Sequence, residues 1–248
     1  MTAILTHTTR DVLVGVIDLL RSRAVHAVAG QRQNYQPVSF CDGDPRRLAR
    51  HYRDLGLREL YVADLDAIAG RQFNAKALAL IAAAFDGNLI LDLGWTGRPD
   101  SSLLEAMRVL DSSSERFFWV AATESMTGTQ DLSLLADCVS AERLLLGLDY
   151  RMGRPLRSSE AGDGAIQDCE WIETASGLGC AGSVVLDLAS VGARSGPTTG
   201  DLCRRLKQHW PDASIYSGGG LRSAEDVHDL RQHGCDRCLV ATALYPQE

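Results

Sequence analysis

The 248-residue sequence has no apolar run long enough to cross a bilayer, which takes about 20 residues in a helix. It also lacks an excess of basic residues. The 25 Lys and Arg residues oppose 32 Asp and Glu residues, and the net charge of −7 argues against nucleic acid or an anionic membrane as a partner. The opening MTAILTHTTRD has no basic stretch ahead of an apolar one, so no secretory signal is expected. We therefore expect a cytoplasmic protein.

Cysteine and histidine spacing gives no sign of a metal or redox centre. Seven cysteines, an odd number without secretory features, predict reduced thiols. Cys235 and Cys238 have CxxC spacing, but no second pair or nearby histidine accompanies them, so packing is favoured over metal binding. We expect neither a metal nor a cofactor on this ground.

Short apolar runs alternate with segments whose apolar residues recur at helical spacing. The predicted strands are VLVGVID, ELYVAD, NLILDL, RFFWVAA, RLLLGLD, SVVLDL, ASIYS and RCLVATA. Eight strands alternating with helices favour an α/β fold, a (βα)8 TIM barrel, over a doubly wound open sheet. No linker rich in Pro, Gly or Ser divides the chain, so we predict one domain over residues 1–248.

An internal repeat supports the barrel. The segment around Asp18 matches the segment around Asp149, and the segment around Asp64 matches that around Asp187. Four such matches at nearly one offset predict two half-barrels of four βα units each. The first strand then lies across the barrel from the fifth.

The chain after the eighth predicted strand is too short for a barrel helix. Only LYPQE remains, and proline interrupts it, so the eighth helix is expected to be missing or truncated. The outer faces of the first and eighth strands would then expose an apolar patch. Residues 1–11 contain few large apolar side chains to cover it, so we predict a homodimer packed through this face.

Five predicted strands end in an aspartate, and barrel chemistry is located at the C-terminal ends of the strands. These residues are Asp18, Asp64, Asp92, Asp149 and Asp187. A strand-end Asp often caps the next turn, but five around one rim indicate a functional ring. Asp18 and Asp149, on opposite strands, are suited to proton transfer if their pKa values differ.

Three consecutive glycines, Gly218, Gly219 and Gly220, separate the seventh predicted strand from a helix. Inward-turned N–H groups and a helix N-terminus make an anion site, and the loops after strands 7 and 8 recurrently bind phosphate in barrel enzymes. We expect Ala241 and Thr242, after the eighth strand, to form the other wall. The run is not a nucleotide-binding loop, because no Lys followed by Ser or Thr comes after it.

The segments GVIDLLRSRAVHAVAGQ, LYVADLDAIAG, LGLDYRMGR and YSGGGLRSAEDV resemble the HisA/HisF barrel family of histidine biosynthesis. The resemblance extends from about Val12 to Leu244. The family's isomerase catalyses an Amadori rearrangement of a phosphorylated ribotide. The resemblance implies that Asp18 and Asp149 are the catalytic pair and that the glycine loop holds a substrate phosphate.

The sequence also departs from the family. The loop LDLGWTGR keeps only Gly94 of the family's second glycine run, with Leu93 and Trp95 on either side and Asp92 just before them. A carboxylate repels a second phosphate, so we expect a neutral, aromatic or cationic group there. Asp187 stands where the family usually has Thr or Ser, and we expect it to join the catalytic pair by polarising or orienting the substrate. Asp64 is expected to lie beside the substrate.

These features predict a divergent paralogue, an isomerase that acts on a small, ribose-phosphate-like substrate through acid–base catalysis. Four alternatives stay open. The protein is the histidine-pathway ribotide isomerase itself, or a paralogue serving pterin-linked one-carbon cofactor biosynthesis, as the resemblance suggests. Otherwise it is a metal-assisted lyase, with a cation held by Asp64, Asp92 and Asp187, or a non-catalytic phosphate-binding protein.

Overall fold

The computed structural model describes residues 3–98, 101–158, 166–193 and 196–246, which contain a closed barrel of eight parallel strands. The barrel strands are β1 Leu13–Leu20, β2 Glu59–Asp64, β3 Asn88–Asp92, β4 Phe117–Ala122, β5 Leu144–Arg151, β6 Gly182–Asp187, β7 Ser214–Gly218 and β8 Arg237–Val240. β1 pairs with β2 on one side and with β8 on the other. The closing β1–β8 pair confirms the predicted barrel, because an open sheet would leave both strands at edges.

Helices cover the outside of the barrel. They are α1 Pro45–Asp54, α2 Ala75–Ala84, α3 Ser101–Ser113, α4 Thr129–Ala136, α5 Asp168–Gly177, α6 Gly200–His209 and α7 Ala224–Gln232, besides a single turn at Leu65–Ile68. Asp44 caps α1 by accepting hydrogen bonds from the N–H groups of Arg46 and Arg47, and Pro45 takes the first position, as the sequence indicates. Within the described ranges, no helix combines the length and apolarity that a membrane crossing requires.

The chain beyond β8 forms only a 3-10 turn, Thr242–Leu244, in the residues that the structure describes. The expected absence of an eighth barrel helix is thus confirmed. This turn packs against α1, because the carbonyl of Leu244 lies 2.8 Å from Nε2 of His51. The ring of Tyr245 lies 5.3 Å from that of Phe40.

The two predicted half-barrels share one strand register. In the first half Leu19, the residue after Asp18, lies opposite Asp64. In the second half Tyr150, the residue after Asp149, lies opposite Asp187. The internal repeat is therefore present in the backbone pairing as well as in the sequence.

Side chains fill the interior of the barrel, and a cavity opens at the C-terminal ends of the strands. Inward-facing side chains form a separate buried cluster, which includes Val14, Tyr61, Ile90, Val120, Leu145, Val184, Tyr216 and Leu239. Outward-facing side chains of the same strands join a larger cluster beneath the helices. The alternation follows from the two-residue period of a strand. The cavity lies at the C-terminal ends of the strands, where barrels of this kind carry their sites.

The outer face of β1 and β8 is covered, so the expectation of an exposed apolar patch is wrong. Ile4 is 0% exposed and Leu5 4% exposed, and both belong to the cluster that contains the outward-facing residues of β1 and β8. The Ala3 carbonyl accepts a hydrogen bond from the N–H of Ala224 at the start of α7. The outward-facing residues Leu13, Leu19, Cys238 and Val240 are themselves at most 3% exposed. The homodimer stays a prediction, without the exposed face that motivated it.

We expect Ile4→Ala to lower the free energy of unfolding by about 2–4 kcal/mol, because it leaves a cavity under a fully buried side chain. Leu80→Ala, at a side chain that is 42% exposed, is the matched control and should cost less than about 1 kcal/mol. Urea denaturation followed by circular dichroism measures both. Equal losses would contradict a structural role for the N-terminal segment.

Candidate functional site

An open cavity of about 120 Å³ lies at the C-terminal ends of the strands. Every barrel strand, or the loop after it, contributes to its wall. The predicted site residues that line it are Asp18, Asp92, Asp149, Gly219, Gly220, Ala241 and Thr242. Asp64, Asp187, Trp95 and Gly218 are not among the lining residues. The structure thus brings together seven of the eleven predicted residues, from both halves of the barrel.

Strand register explains which aspartates face the cavity. Asp18 lies opposite Ala63 on β2, and Ala63 lies opposite Asp92 on β3, so all three share one inward-facing layer. Asp64 is one residue further along β2, opposite Leu19, whose side chain joins the outer cluster. Successive residues of a strand point to opposite faces, so Asp64 turns away from the cavity.

Asp18 and Asp149 face the cavity from opposite strands, β1 and β5. Asp149 is only 9% exposed. Among the described residues, none donates a hydrogen bond to either carboxylate. A buried carboxylate without a protein donor is costly, so both groups are available to a ligand or a proton.

The surroundings of Asp18 and Asp149 raise the pKa values of both side chains. Burial raises the pKa of Asp18 to about 7, an effect that Arg32 opposes and Asp92 reinforces. Burial raises the pKa of Asp149 well above its usual range, and the neighbouring Glu124 and Asp92 raise it further. Burial therefore favours the protonated form of both carboxyl groups, as an acid in proton transfer requires.

Asp92 forms the third acidic wall of the cavity. Its carboxylate accepts hydrogen bonds of 3.1 Å from the Tyr61 hydroxyl and from the N–H of Gly94. Burial raises the pKa of Asp92 to about 6, with Glu124 adding to the effect. Trp95, predicted to flank a ligand here, is buried in the core instead and its Nε1 donates to a backbone carbonyl of α4.

Asp64 organises the loop after β2. Its Oδ1 accepts hydrogen bonds of 3.2 Å from the N–H groups of Asp66 and Ala67, which caps the turn Leu65–Ile68. Asn74 donates from its N–H at 2.6 Å and from Nδ2 at 2.7 Å. Both carboxylate oxygens are therefore occupied by protein donors.

Asp187 organises the turn after β5. It accepts hydrogen bonds of 3.0 and 2.8 Å from the N–H groups of Met152 and Gly153. Asp64, Asp92 and Asp187 do not converge on one point, so the three residues of the metal-assisted alternative lack a common site. In the part of the chain that the structure describes, no group of three or more His, Cys, Asp or Glu side chains is arranged to hold a metal ion.

The glycine run supplies unpaired backbone donors. Gly219 and Gly220 have φ angles of +96° and +76°, which L side chains rarely adopt. Among the described residues, the N–H groups of Gly219, Gly220 and Leu221 donate to no protein acceptor, and neither do those of Ala241 and Thr242. All five residues line the cavity. Such a set of free N–H groups suits an anion.

Gly218 has a different role from its two neighbours. It is the last residue of β7, and a Cβ there would lie 2.3 Å from the Leu239 carbonyl oxygen on β8. Gly218 therefore allows the two strands to approach closely, and the donors of the cup come from the residues after it.

The sequence interpretation missed Arg32 and Glu124. The Arg32 Nη2 lies 3.4 Å from the Glu124 Oε1, and both side chains line the cavity. Glu124 follows the end of β4, so the strand-end rule that selected the aspartates also applies to it. Arg32 lies in a 3-10 turn of the long loop after β1, where no local pattern marks a site residue.

Sequence comparison identifies a family and several relatives of this chain among known proteins. A sequence profile described as histidine biosynthesis protein matches residues 12–248. An uncharacterized protein of Methanocaldococcus jannaschii is 28% identical over 236 residues, which cover 94% of this chain and 92% of the relative. Two relatives are named as phosphoribosyl imidazole-4-carboxamide isomerases. The one from Leuconostoc mesenteroides is 25% identical, covering 92% of each chain, and the one from Thermus thermophilus is 27% identical, covering 94% of each. Because the profile spans nearly the whole chain, the protein belongs to the histidine biosynthesis protein family.

Proposed function

We propose that this protein is an isomerase of a small phosphorylated, sugar-like substrate, with Asp18 as the base and Asp149 as the acid. The observation that carries the proposal is the pair of carboxylates without protein donors on opposite strands of one cavity. The free N–H groups of the glycine loop in the same cavity support a phosphate on the substrate. The names of the isomerase relatives support the reaction type.

In this proposal the phosphate binds to the N–H groups of Gly219, Gly220 and Ala241 through charge-assisted hydrogen bonds. The anchored substrate extends towards the space between β1 and β5. Asp149 donates a proton to the sugar oxygen, and Asp18 removes a proton from the neighbouring carbon. The resulting enediol becomes a ketone when Asp18 returns its proton to the former carbonyl carbon and Asp149 takes the proton of the neighbouring hydroxyl. The atoms of substrate and product are the same, so the reaction needs no external oxidant or reductant.

We further propose that the protein is a divergent paralogue. The N–H of Gly94, the one glycine kept from the second run, donates to Asp92. A second phosphate on this side would face the Asp92 carboxylate, which repels it. The names of the relatives favour the histidine-pathway isomerase as the second candidate. Growth without histidine of a strain that lacks this isomerase, when it carries the present protein, would support the second candidate.

The proposal also includes a cytoplasmic location, a homodimer and, as the resemblance suggests, a role in pterin-linked one-carbon cofactor biosynthesis. In our proposal Asp187 and Asp64 position the loops around the substrate and do not contact it. Trp95 likewise acts through packing.

We expect Gly219→Ala to weaken binding of inorganic phosphate by about 10-fold or more, which corresponds to the loss of one hydrogen bond to a charged group. A Cβ at this position would lie 2.6 Å from the buried Ser190 Oγ, so the loop must shift and its N–H groups lose their alignment. Isothermal titration calorimetry measures the affinity.

Gly179→Ala is the matched control. Gly179 has a φ of +78°, a Cβ there would meet no heavy atom within 4 Å, and the residue does not line the cavity. The control carries the same backbone strain, so its phosphate affinity should equal that of the wild type. An unchanged affinity in Gly219→Ala would remove the phosphate site from the proposal.

A further inference from the structure

We infer that the substrate carries a protonated amino group at the end away from its phosphate, as a phosphorylated amine or an aminosugar phosphate does. This inference rests on the proposed function, because it concerns the same cavity. It follows from the separation of charge within the cavity, from an unpartnered buried carboxylate, and from the absence of a geometry for a metal ion among the described residues.

The two ends of the cavity differ in charge. The wall formed by the loops after β7 and β8 consists of Gly219, Gly220, Leu221, Ala241 and Thr242, which present backbone donors and no carboxylate. The wall formed by β3, β4 and β5 presents Asp92, Glu124 and Asp149. Glu124 raises the pKa of both Asp92 and Asp149, and Asp92 also raises that of Asp149.

Among the described residues, basic side chains that line this cavity are fewer than carboxylates. With Asp18, four carboxylates line the cavity, whereas the basic side chains that line it are Arg32 and His26. Arg32 already pairs with Glu124 at 3.4 Å. Arg157, which also lowers the pKa of Asp149, is hydrogen-bonded to Asp168 and to the Leu156 carbonyl behind the cavity.

Asp149 provides an independent sign of a missing partner. Its side chain is 9% exposed, lines the cavity, and accepts no hydrogen bond from the described residues. Asp92, at 4% exposure, accepts from two neutral donors among the described residues, the Tyr61 hydroxyl and the Gly94 N–H. In the proposed reaction Asp149 keeps its proton as the acid, so we place the amino group at Asp92, which a ligand with charged N–H donors satisfies directly.

An organic cation fits this wall better than a metal ion. No metal-binding arrangement of three or more acidic, His or Cys side chains is present in residues 3–98, 101–158, 166–193 and 196–246. The rings of Tyr35 and Tyr61 line the same cavity. Aromatic faces attract ammonium groups, so these rings add to the attraction of the carboxylates.

The test compares two series of ligands that differ only in charge at one end. One series is ω-aminoalkyl phosphates of increasing chain length, and the other is the ω-hydroxyalkyl phosphates of the same lengths. Titration calorimetry near neutral pH should show that the best amine binds about 10-fold or more tightly than its matched alcohol, the effect of one charged hydrogen bond. The phosphate is common to both series, so its contribution cancels.

Asp92→Asn and Glu124→Gln identify the wall that holds the amine. Each should reduce the preference for the amine while the matched alcohol keeps its affinity. Circular dichroism and thermal denaturation verify that both variants fold, and the wild-type comparison by itself needs no variant. Retention of the full amine preference in both variants would overturn the assignment to this wall.

The outcomes separate this inference from the proposed function. Equal affinities of amine and alcohol in the wild-type protein would overturn the inference and leave the phosphate site and the catalytic pair intact. A failure of both series to bind would overturn the phosphate site, and the inference with it. If Gly219→Ala loses affinity for both series and the wild type prefers the amine, the results support the phosphate site and the inference together.

Discussion

Asp18→Asn and Asp149→Asn are each expected to lower turnover by about 100-fold or more, as removal of a proton-transfer group does. Asn keeps the shape of the side chain but neither accepts nor donates the proton. Since our proposal places the phosphate at the glycine loop on the other wall, substrate affinity should change far less. An effect on kcat rather than on KM is thus the expected signature.

Exchange of a substrate hydrogen with solvent measures proton removal by the enzyme, and the product need not be known. Ribose 5-phosphate and glucosamine 6-phosphate serve as probes in deuterated water, and proton NMR follows deuterium entering the carbon next to the carbonyl. Asp18→Asn should abolish this exchange, because Asp18 removes that proton. Normal exchange in both variants on a probe that the wild type converts would overturn the catalytic pair.

The Asp187→Asn variant distinguishes a positioning role of this residue from a direct catalytic role. Its carboxylate holds the turn at Met152 and Gly153, so our proposal assigns it a positioning role and expects a lower stability with a smaller loss of turnover. A loss as large as that of Asp18→Asn would instead support the direct catalytic role that the sequence suggests. Asp212→Asn, at an exposed residue, controls for the loss of one surface charge.

The rate should also depend on pH in a predictable direction. The base must be ionised, and the pKa of Asp18 is raised to about 7, so kcat/KM should rise through neutral pH. The acid must keep its proton, and the pKa of Asp149 is raised well above its usual range, so the rate should fall again at higher pH. The two limbs belong to the interacting pair rather than to either residue alone.

The second large effect is on stability. Asp18→Asn is expected to be more stable than the wild type at about pH 8, by up to about 4 kcal/mol, and equally stable at about pH 4. In the folded protein the pKa of Asp18 is about 7, against an ordinary value of 3.8. Between these values the folded state binds more protons than the unfolded state, so the stability of the wild type falls as pH rises.

Urea denaturation of both proteins at several pH values measures the difference. Comparison with the variant cancels groups that titrate in both proteins, among them Asp226, whose pKa the Arg222 guanidinium lowers. Asp212→Asn should show no such dependence, because the residue is exposed. A difference in unfolding free energy that is constant across the pH range would contradict the buried ionisation of Asp18.

These two expectations have one physical origin. The cavity keeps Asp18 and Asp149 away from water and from protein donors, which adjusts their pKa values to proton transfer near neutral pH. The same burial destabilises the folded state once the carboxylates ionise. Substitution to Asn removes the destabilisation and the chemistry together.

Local sequence patterns were sufficient for the fold and for part of the site. Alternating strand and helix patterns predicted the barrel, since they depend on the two-residue period of a strand and the helical repeat. The glycine run predicted an anion cup, because only glycine adopts the φ angles of Gly219 and Gly220 without strain. The internal repeat placed Asp18 opposite Asp149.

Tertiary structure decided which of the similar-looking residues face the cavity. Asp18 and Asp64 both follow an apolar run, but the register between β1 and β2 turns Asp18 inward and Asp64 outward. A shift of one residue in strand pairing reverses the face, and the sequence around each Asp does not state that pairing. Packing between distant segments likewise buried Trp95 beside α4 and Ile4 within the large cluster outside the barrel, because burial depends on neighbours that are remote in the chain.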